Sequence, residues 1–193
     1  MKRQASANIP NKYGNFELMA YSNDKGEPMP HLVYLASVTD FNKPVNVRIH
    51  SECLTGDLLG SFRCDCGEQL EASMKYIAEN GGLIIYLRQE GRGIGLINKL
   101  KAYNLQDKGV NTKDANIQLG FAADARSFEH AVEILNDLGI KSIHLLTNNP
   151  LKIDAIEASN IRLISRIPIE IPAKKENKFY LETKRDLMGH IIS

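Results

Sequence analysis

The chain has no apolar run approaching the roughly 18 to 20 residues that a membrane span requires. Nor does an apolar stretch follow the basic residues Lys2 and Arg3, so nothing reads as a membrane anchor or a secretory leader. The expectation is a soluble, cytoplasmic protein with no membrane partner. A dominant charge is also missing. Lys and Arg number 24 against 23 Asp and Glu, a net charge of +1, so no global field draws nucleic acid or an anionic surface, and any polyanion site has to be built locally. Internal repeats and low-complexity linkers are absent. A length of 193 residues with 43% hydrophobic content allows one buried core but not two comfortable ones. We expect a loose arm over residues 1–10, ending at Pro10, and a single mixed α/β domain over 11–193. Cysteine, finally, is absent outside residues 53–66. Three cysteines cannot all pair with one another, and a cytosolic setting keeps them reduced, which turns attention to metal.

Along the chain, Phe16, Leu18 and Ala20 alternate with more polar residues, Asp24-Lys25-Gly26 supplies a turn, and 31–38 is a second apolar run, so a hairpin is predicted. Val45, Val47 and Ile49 alternate with Asn46, Arg48 and His50, a strand that leads into Ser51-Glu52-Cys53. Leu70, Met74, Ile77 and Ala78 recur at helical spacing up to the glycines at 81 and 82. A buried strand over 82–87, a polar glycine-rich loop and a helix over 96–105 follow. Residues 106–126 are mixed. Ser127 is a candidate N-cap for a helix closed by Gly139, and 140–146 is a strand delivering Thr147-Asn148-Asn149-Pro150 to the head of a helix that runs to about Ser159. A last strand over 161–171 and a charged surface helix within 174–190 complete the reading.

Chemistry concentrates between Arg48 and Gln69. Cys53, Cys64 and Cys66 offer three soft thiolates that one loop can bring to a tetrahedral ion, with zinc the first choice. Three protein ligands leave a position for water, as a catalytic site requires; a structural site would be closed by a fourth ligand, for which His50 is the candidate, and the cysteines could also serve as small buried hydrophobes. Zinc acidifies its water, less so with three thiolates than with three histidines, and Glu52 or Asp65 could shuttle protons or stand as surface charges. The loop from Glu90 to Gly95, flanked by Arg88 and Arg92, suits a phosphate chain or is simply a tight strand-to-helix turn. It is neither Gly-x-Gly-x-x-Gly nor a Walker loop. Thr147 and Lys152 at a helix head form a second phosphate signal, with helix capping as the alternative, and Arg48 adds a third cation.

Six blocks in order, Arg48-Ile-His-Ser-Glu-Cys-Leu-Thr-Gly-Asp57, Arg63-Cys-Asp-Cys-Gly67, Arg88-Gln-Glu-Gly-Arg92, Ala102-Tyr-Asn-Leu-Gln-Asp107, Leu119-Gly-Phe-Ala-Ala-Asp124 and Leu145-Leu-Thr-Asn-Asn-Pro150, together resemble GTP cyclohydrolase II, a zinc enzyme of riboflavin biosynthesis. The resemblance extends over residues 45–190. It implies hydrolytic opening of the guanine imidazole ring of GTP with loss of C8 as formate and release of pyrophosphate. It implies zinc on Cys53, Cys64 and Cys66, with His50 a neighbour, and GTP contacts from Arg48, Ile49, His50, Ser51, Glu52, Gln69, Glu90, Gly91, Arg92, Thr112, Thr147 and Lys152. Asp124 is implied as proton acceptor, Arg126 as nucleophile towards the α-phosphate, and Tyr103 near the reacting ring; some relatives lacking that tyrosine stop at the formamide, so its presence points to full deformylation. A guanidinium is a poor nucleophile, so Arg126 acting as an electrostatic clamp is the competing reading. The resemblance further implies magnesium with the triphosphate and a homodimer; many members of the family carry a fused N-terminal dihydroxybutanone-phosphate synthase domain, for which 193 residues leave no room, so a monofunctional chain is expected. The runner-up is a zinc-stabilised guanine-nucleotide-binding regulatory protein without turnover, against which Tyr103, Asp124 and Arg126 speak. A nucleic-acid module is disfavoured by the neutral charge and the lack of aromatics among the basic residues.

Overall fold

The computed structural model describes residues 1–191, so the last two residues of the expected 11–193 domain lie outside the described residues. The fold is mixed α/β: seven strands form one sheet in the order β1-β2-β3-β5-β4-β6-β7. They are β1 (Lys2–Asn11), β2 (Gly14–Ser22), β3 (His31–Ala36), β4 (Val45–Ser51), β5 (Leu83–Leu87), β6 (Ser142–Leu146) and β7 (Arg162–Ile167). The described helices are α1 (Leu54–Asp57), α2 (Cys66–Asn80), α3 (Gly95–Gln106), α4 (Thr112–Gln118), α5 (Glu129–Asp137), α6 (Pro150–Glu157) and α7 (Lys178–Met188), with a 3-10 turn at Glu90–Gly93. Among the described residues no helix is long and apolar enough to cross a membrane.

The chain gathers into two compact units. The first comprises Met1–His50, Leu70–Arg88 and Phe128–Ile169 and holds the sheet. Its β1, β2, β3 and β5 pair antiparallel, with Ile9 opposite Phe16, Leu18 opposite Tyr34 and Val33 opposite Ile85. β4, β6 and β7 pair parallel, with Val47 opposite Leu145 and Leu145 opposite Arg166. Side chains of a strand alternate between faces, and the core follows that alternation. Leu83, Ile85 and Leu87 join a cluster with Ala131, Ile134 and Leu135 of α5 and Ile156 of α6. Ile84, between them, joins Met74 and Ile77 of α2. Both faces of the sheet are therefore covered by helices. Gly82, just before β5, has φ +125, and a Cβ there would lie 2.2 Å from the Asn46 carbonyl oxygen, so only glycine fits.

Two local expectations change. Residues 1–10 are not a loose arm: β1 pairs with β2 from Lys2 to Asn11, and the Asn11 Oδ1 accepts the N–H groups of Tyr13 (2.8 Å) and Gly14 (3.3 Å) to shape the turn. The strand is an edge strand exposed along nearly all its length, so its sequence carries no apolar alternation, and its pairing is dictated by β2. The N-cap of α5 is Phe128 rather than Ser127; its ring is buried in the core, which fixes where the helix starts.

The second unit comprises Ser51–Gln69, Gln89–Ser127 and the chain from Glu170 onward. It contains α1, the first turn of α2, the 3-10 turn, α3, α4 and α7. The helix α4 lies within the stretch read as mixed. Asn111 caps it by accepting the Asp114 N–H at 2.9 Å, a cap with an acidic residue three positions on that offsets a helix of only seven residues.

Candidate active site

The loop after β4 is folded on its own polar atoms. Cys53 N–H donates to Asp57 Oδ2 at 3.0 Å, closing α1. Leu54 N–H donates to Glu90 Oε2 at 2.6 Å. Cys66 is the first residue of α2, so a helix fixes the third sulfur. The Sγ atoms of Cys53 and Cys64 are 3.6 Å apart, and all three sulfurs lie within 4.8 Å of one another. Thiolates about 2.3 Å from zinc at tetrahedral angles sit about 3.8 Å apart, so the donor set fits zinc in both type and spacing. Among the described residues no histidine or carboxylate joins the group. The His50 ring instead stacks on Tyr86 in the first unit, 5.4 Å between centroids. The space amid the sulfurs exists because residue 56 is glycine: a Cβ there would lie 3.1 Å from Cys64 Sγ and 3.2 Å from Cys53 Sγ. Hydrogen bonding from Cys64 and Cys66 holds the Cys53 thiol far below its usual pKa; the bond to Cys53 pushes Cys64 up to about 12, and the bonds to Cys53 and Cys64 push Cys66 well above its ordinary value.

Behind Cys53 stands Lys99 of α3. Its Nζ donates to Cys53 Sγ at 3.0 Å and to Glu90 Oε1 at 2.8 Å, and the Lys99 and Glu90 side chains are each 10% exposed. Burial disfavours the Lys99 ammonium, but the charge on Cys53 and the bond to Glu90 outweigh it and raise its pKa. Gly91 N–H donates to Glu90 Oε1 at 2.7 Å, so both Glu90 oxygens face the loops. One turn on from Lys99, Tyr103 sets its hydroxyl 3.4 Å from Thr55 Oγ1, beneath the Arg63 guanidinium at 4.7 Å from the ring centroid. Burial keeps its phenol above the usual pKa.

Asp124 and Arg126 form a fork. Arg126 donates from Nε to Asp124 Oδ1 (2.8 Å), from NH2 to Oδ2 (2.5 Å) and from its backbone N–H to Oδ1 (3.1 Å). Burial works against both charges, yet the pairing prevails: Asp124 lies below the carboxylate range and Arg126 above its own. Arg126 NH1 also reaches Ser51 Oγ at 3.5 Å, and Gln89 Nε2 donates to the same oxygen at 2.9 Å. Arg92 has φ 62, the positive-φ non-glycine residue of the described chain. Its NH1 and NH2 are buried with no hydrogen-bond partner among the described residues, and its guanidinium lies 5.7 Å from the Tyr180 ring centroid. Asp65, between two cysteines, accepts from Gln69 Nε2 at 2.5 Å and from Lys184 Nζ at 2.7 Å, which makes it a buried brace rather than a surface charge. Thr112 is the first residue of α4, and Glu52 is half-buried at the start of the cysteine loop.

The first unit holds the other expected residues. Arg48 is buried and donates to the Leu146 carbonyl at 3.0 Å. Lys152 donates to the carbonyl of Ile49 at 2.7 Å and lies over Phe128. Thr147 Oγ1 accepts the Asn149 N–H at 3.0 Å, and Asn149 caps α6 through the Leu151 N–H at 3.0 Å.

A model of the GTP cyclohydrolase II family matches residues 2–168. The chain belongs to that family. Among curated relatives, GTP cyclohydrolase-2 of Campylobacter fetus is 54% identical over 186 residues, 96% of this chain and 93% of that protein. GTP cyclohydrolase-2 of Picrophilus torridus is 48% identical, covering 97% of each. The riboflavin biosynthesis protein RibBA of Staphylococcus saprophyticus is 51% identical, and this chain spans 47% of its length. Among solved structures, a two-domain 3,4-dihydroxy-2-butanone 4-phosphate synthase of A. baumannii aligns over 89% of this chain and 40% of its own, at 22% identity and a TM-score of 0.47. Against the GTP cyclohydrolase II blocks, Lys99, Thr55 and Lys184 are the contacts that sequence reading passed over. A signal existed for Lys99: four residues before Tyr103, it shares that residue's helix face.

Proposed function

We propose that this chain hydrolyses GTP to 2,5-diamino-6-(5-phosphoribosylamino)pyrimidin-4(3H)-one, formate and pyrophosphate, the opening step of riboflavin biosynthesis, as a cytoplasmic homodimer. The observation that carries the reading is the buried triangle of Cys53, Cys64 and Cys66, with no further histidine or carboxylate in the group among the described residues: a site of zinc chemistry with a position to spare. When bound there, zinc supplies Lewis acidity, the means of activating water towards an electrophilic carbon. Tyr103, kept protonated by burial and held by Thr55, donates a hydrogen bond to oxygen as charge develops at the carbon that leaves as formate. Gln69, with a donor and an acceptor on one amide, reads a base edge.

At the phosphates, Arg92 offers two buried nitrogens without hydrogen-bond partners, and an anion satisfies both. The Arg92 backbone holds φ 62, a left-handed conformation that a non-glycine residue keeps only where its surroundings fix it. Asp124 holds Arg126 as a guanidinium and orients it. A carboxylate held below its usual range by that pairing is a weak base towards its own partner, which favours Arg126 as a clamp on the α-phosphate over Arg126 as nucleophile. Arg48, Ile49, His50, Ser51, Glu52, Gly91, Thr112, Thr147 and Lys152 contact GTP as the family blocks imply, and Glu90 serves through the backbone of its loop. Magnesium neutralises the triphosphate.

An NMR time course of the purified protein with GTP and magnesium tests this. Equimolar formate and pyrophosphate is the expected result. Pyrophosphate without formate refutes the role given to the cysteine centre, and neither product favours the nucleotide-binding alternative.

A further inference from the structure

Lys99 belongs to neither the ligands nor the substrate contacts, yet it is among the most constrained lysines of the second unit. Three observations coincide on it. Its ammonium is 3.0 Å from Cys53 Sγ and 2.8 Å from Glu90 Oε1. Glu90 in turn fixes the two loops on either side, through the N–H groups of Leu54 and Gly91. The backbone of Gly91 leaves room for the lysine stem, since a Cβ there would lie 3.1 Å from Lys99 Cβ. A metal dication on three thiolates carries one excess negative charge, in a pocket where Glu90 adds another.

We infer that Lys99 is a positioning residue for the metal centre, donating a charge-assisted hydrogen bond to the Cys53 sulfur that offsets the excess charge of the three-thiolate set and fixes that ligand's orientation. The inference rests on the reading of the cysteines as a metal site. A hydrogen bond into a thiolate withdraws electron density from sulfur, so the bound metal stays a better Lewis acid than three bare thiolates would leave it. Glu90 is the clasp that keeps the ammonium on the sulfur, a buried pair in which removal of one partner strands the other.

The test is metal affinity with a spectroscopic readout. Wild type, Lys99→Met, Lys99→Arg and the double variant Lys99→Met/Glu90→Gln are titrated with zinc against a chromophoric chelator, and with cobalt(II) to record the sulfur-to-metal charge-transfer band. The double variant leaves no stranded carboxylate, and circular dichroism with a thermal melt establishes its fold. Lys99→Met and the double variant should bind zinc about 10 to 100-fold more weakly, the usual effect of removing a partner of a ligand, with the cobalt band moved to longer wavelength. Lys99→Arg should recover most of the affinity and the band position. If wild type binds zinc and a folded double variant binds it equally well with an unmoved band, the role of Lys99 is overturned while the metal site stands. If wild type binds neither zinc nor cobalt stoichiometrically, the metal reading falls and takes the inference with it.

Discussion

Replacing Gly56 by alanine separates packing of the cysteine loop from the metal it is proposed to hold. The added Cβ would lie 3.1 Å from Cys64 Sγ, 3.1 Å from Cys66 Cβ and 3.2 Å from Cys53 Sγ, inside the 3.5–4.0 Å at which non-bonded carbons are best placed. Two effects oppose each other. Alanine is favoured over glycine inside a helix by about 1 kcal/mol, and two sulfurs have to retreat by a few tenths of an ångström. In the metal-free protein the thiols can retreat, so the net change in stability should stay within about 1 kcal/mol. With metal bound, ligand distances tolerate only about 0.2 Å, and the displacement falls on affinity, an expected loss of 10 to 100-fold, or about 1.4 to 2.8 kcal/mol. Thermal melts with zinc and with chelator read this directly: Gly56→Ala should match wild type in chelator and gain distinctly less from zinc. Gly67→Ala is the contrasting control, because its Cβ would lie 2.3 Å from the Gly56 carbonyl oxygen, and it should lower stability by about 1–3 kcal/mol whether or not metal is present. An equal zinc-induced rise in Tm for Gly56→Ala and wild type refutes the reasoning.

Tyr103→Phe removes the hydroxyl held at Thr55 and should slow formate release more than pyrophosphate release; equal slowing of the two counts against its role at the ring. Arg126→Lys keeps the charge but loses the fork to Asp124, and retention of most pyrophosphate release is the outcome expected of a clamp, whereas its abolition together with a trapped phospho-arginine in wild type would establish the nucleophile. His31 accepts the Arg88 backbone N–H on Nδ1 at 2.9 Å, and burial, then His130 and Arg88, hold its pKa down to about 4. The unfolded chain takes up a proton below about 6.5 that the folded one refuses, so this stability is complete above about pH 6.5 and is lost as pH falls towards 4. Solvent screening of the half-exposed ring reduces the effect to about 1 kcal/mol; urea midpoints between pH 4 and 7 should show a slope that His31→Asn flattens, and identical slopes would remove His31 from the account.

The cysteine cluster was legible because cysteine occurs nowhere else and three in one loop leave few alternatives. The strands that build the sheet's interior were legible for a different reason: Val45, Val47 and Ile49, or the run from Leu83 to Leu87, bury side chains in periods that a sequence displays. β1 was not, because an edge strand exposed on both faces has nothing to bury, and its conformation is imposed by Phe16 to Ser22 across the ladder. Nor were the polar braces. Of Lys99 and Lys101, spacing from Tyr103 sets Lys99 apart, but its partners Cys53 and Glu90 lie on other segments and are not displayed by the sequence. Asp65 could be read as a proton shuttle or a surface charge; its place as a buried brace depends on Lys184 of α7, more than a hundred residues on.

That last contact has a consequence in time. Asp65 and Lys184 are 119 residues apart, and a ribosome adding about 5–20 residues per second takes roughly 6 to 24 s to travel from one to the other. Throughout that interval Cys64 and Cys66 flank a carboxylate whose counter-charge has not yet been made. The brace on Asp65 is therefore completed in two stages, the bond from Gln69 within reach as soon as the start of α2 has been made and the bond from Lys184 only once α7 has followed.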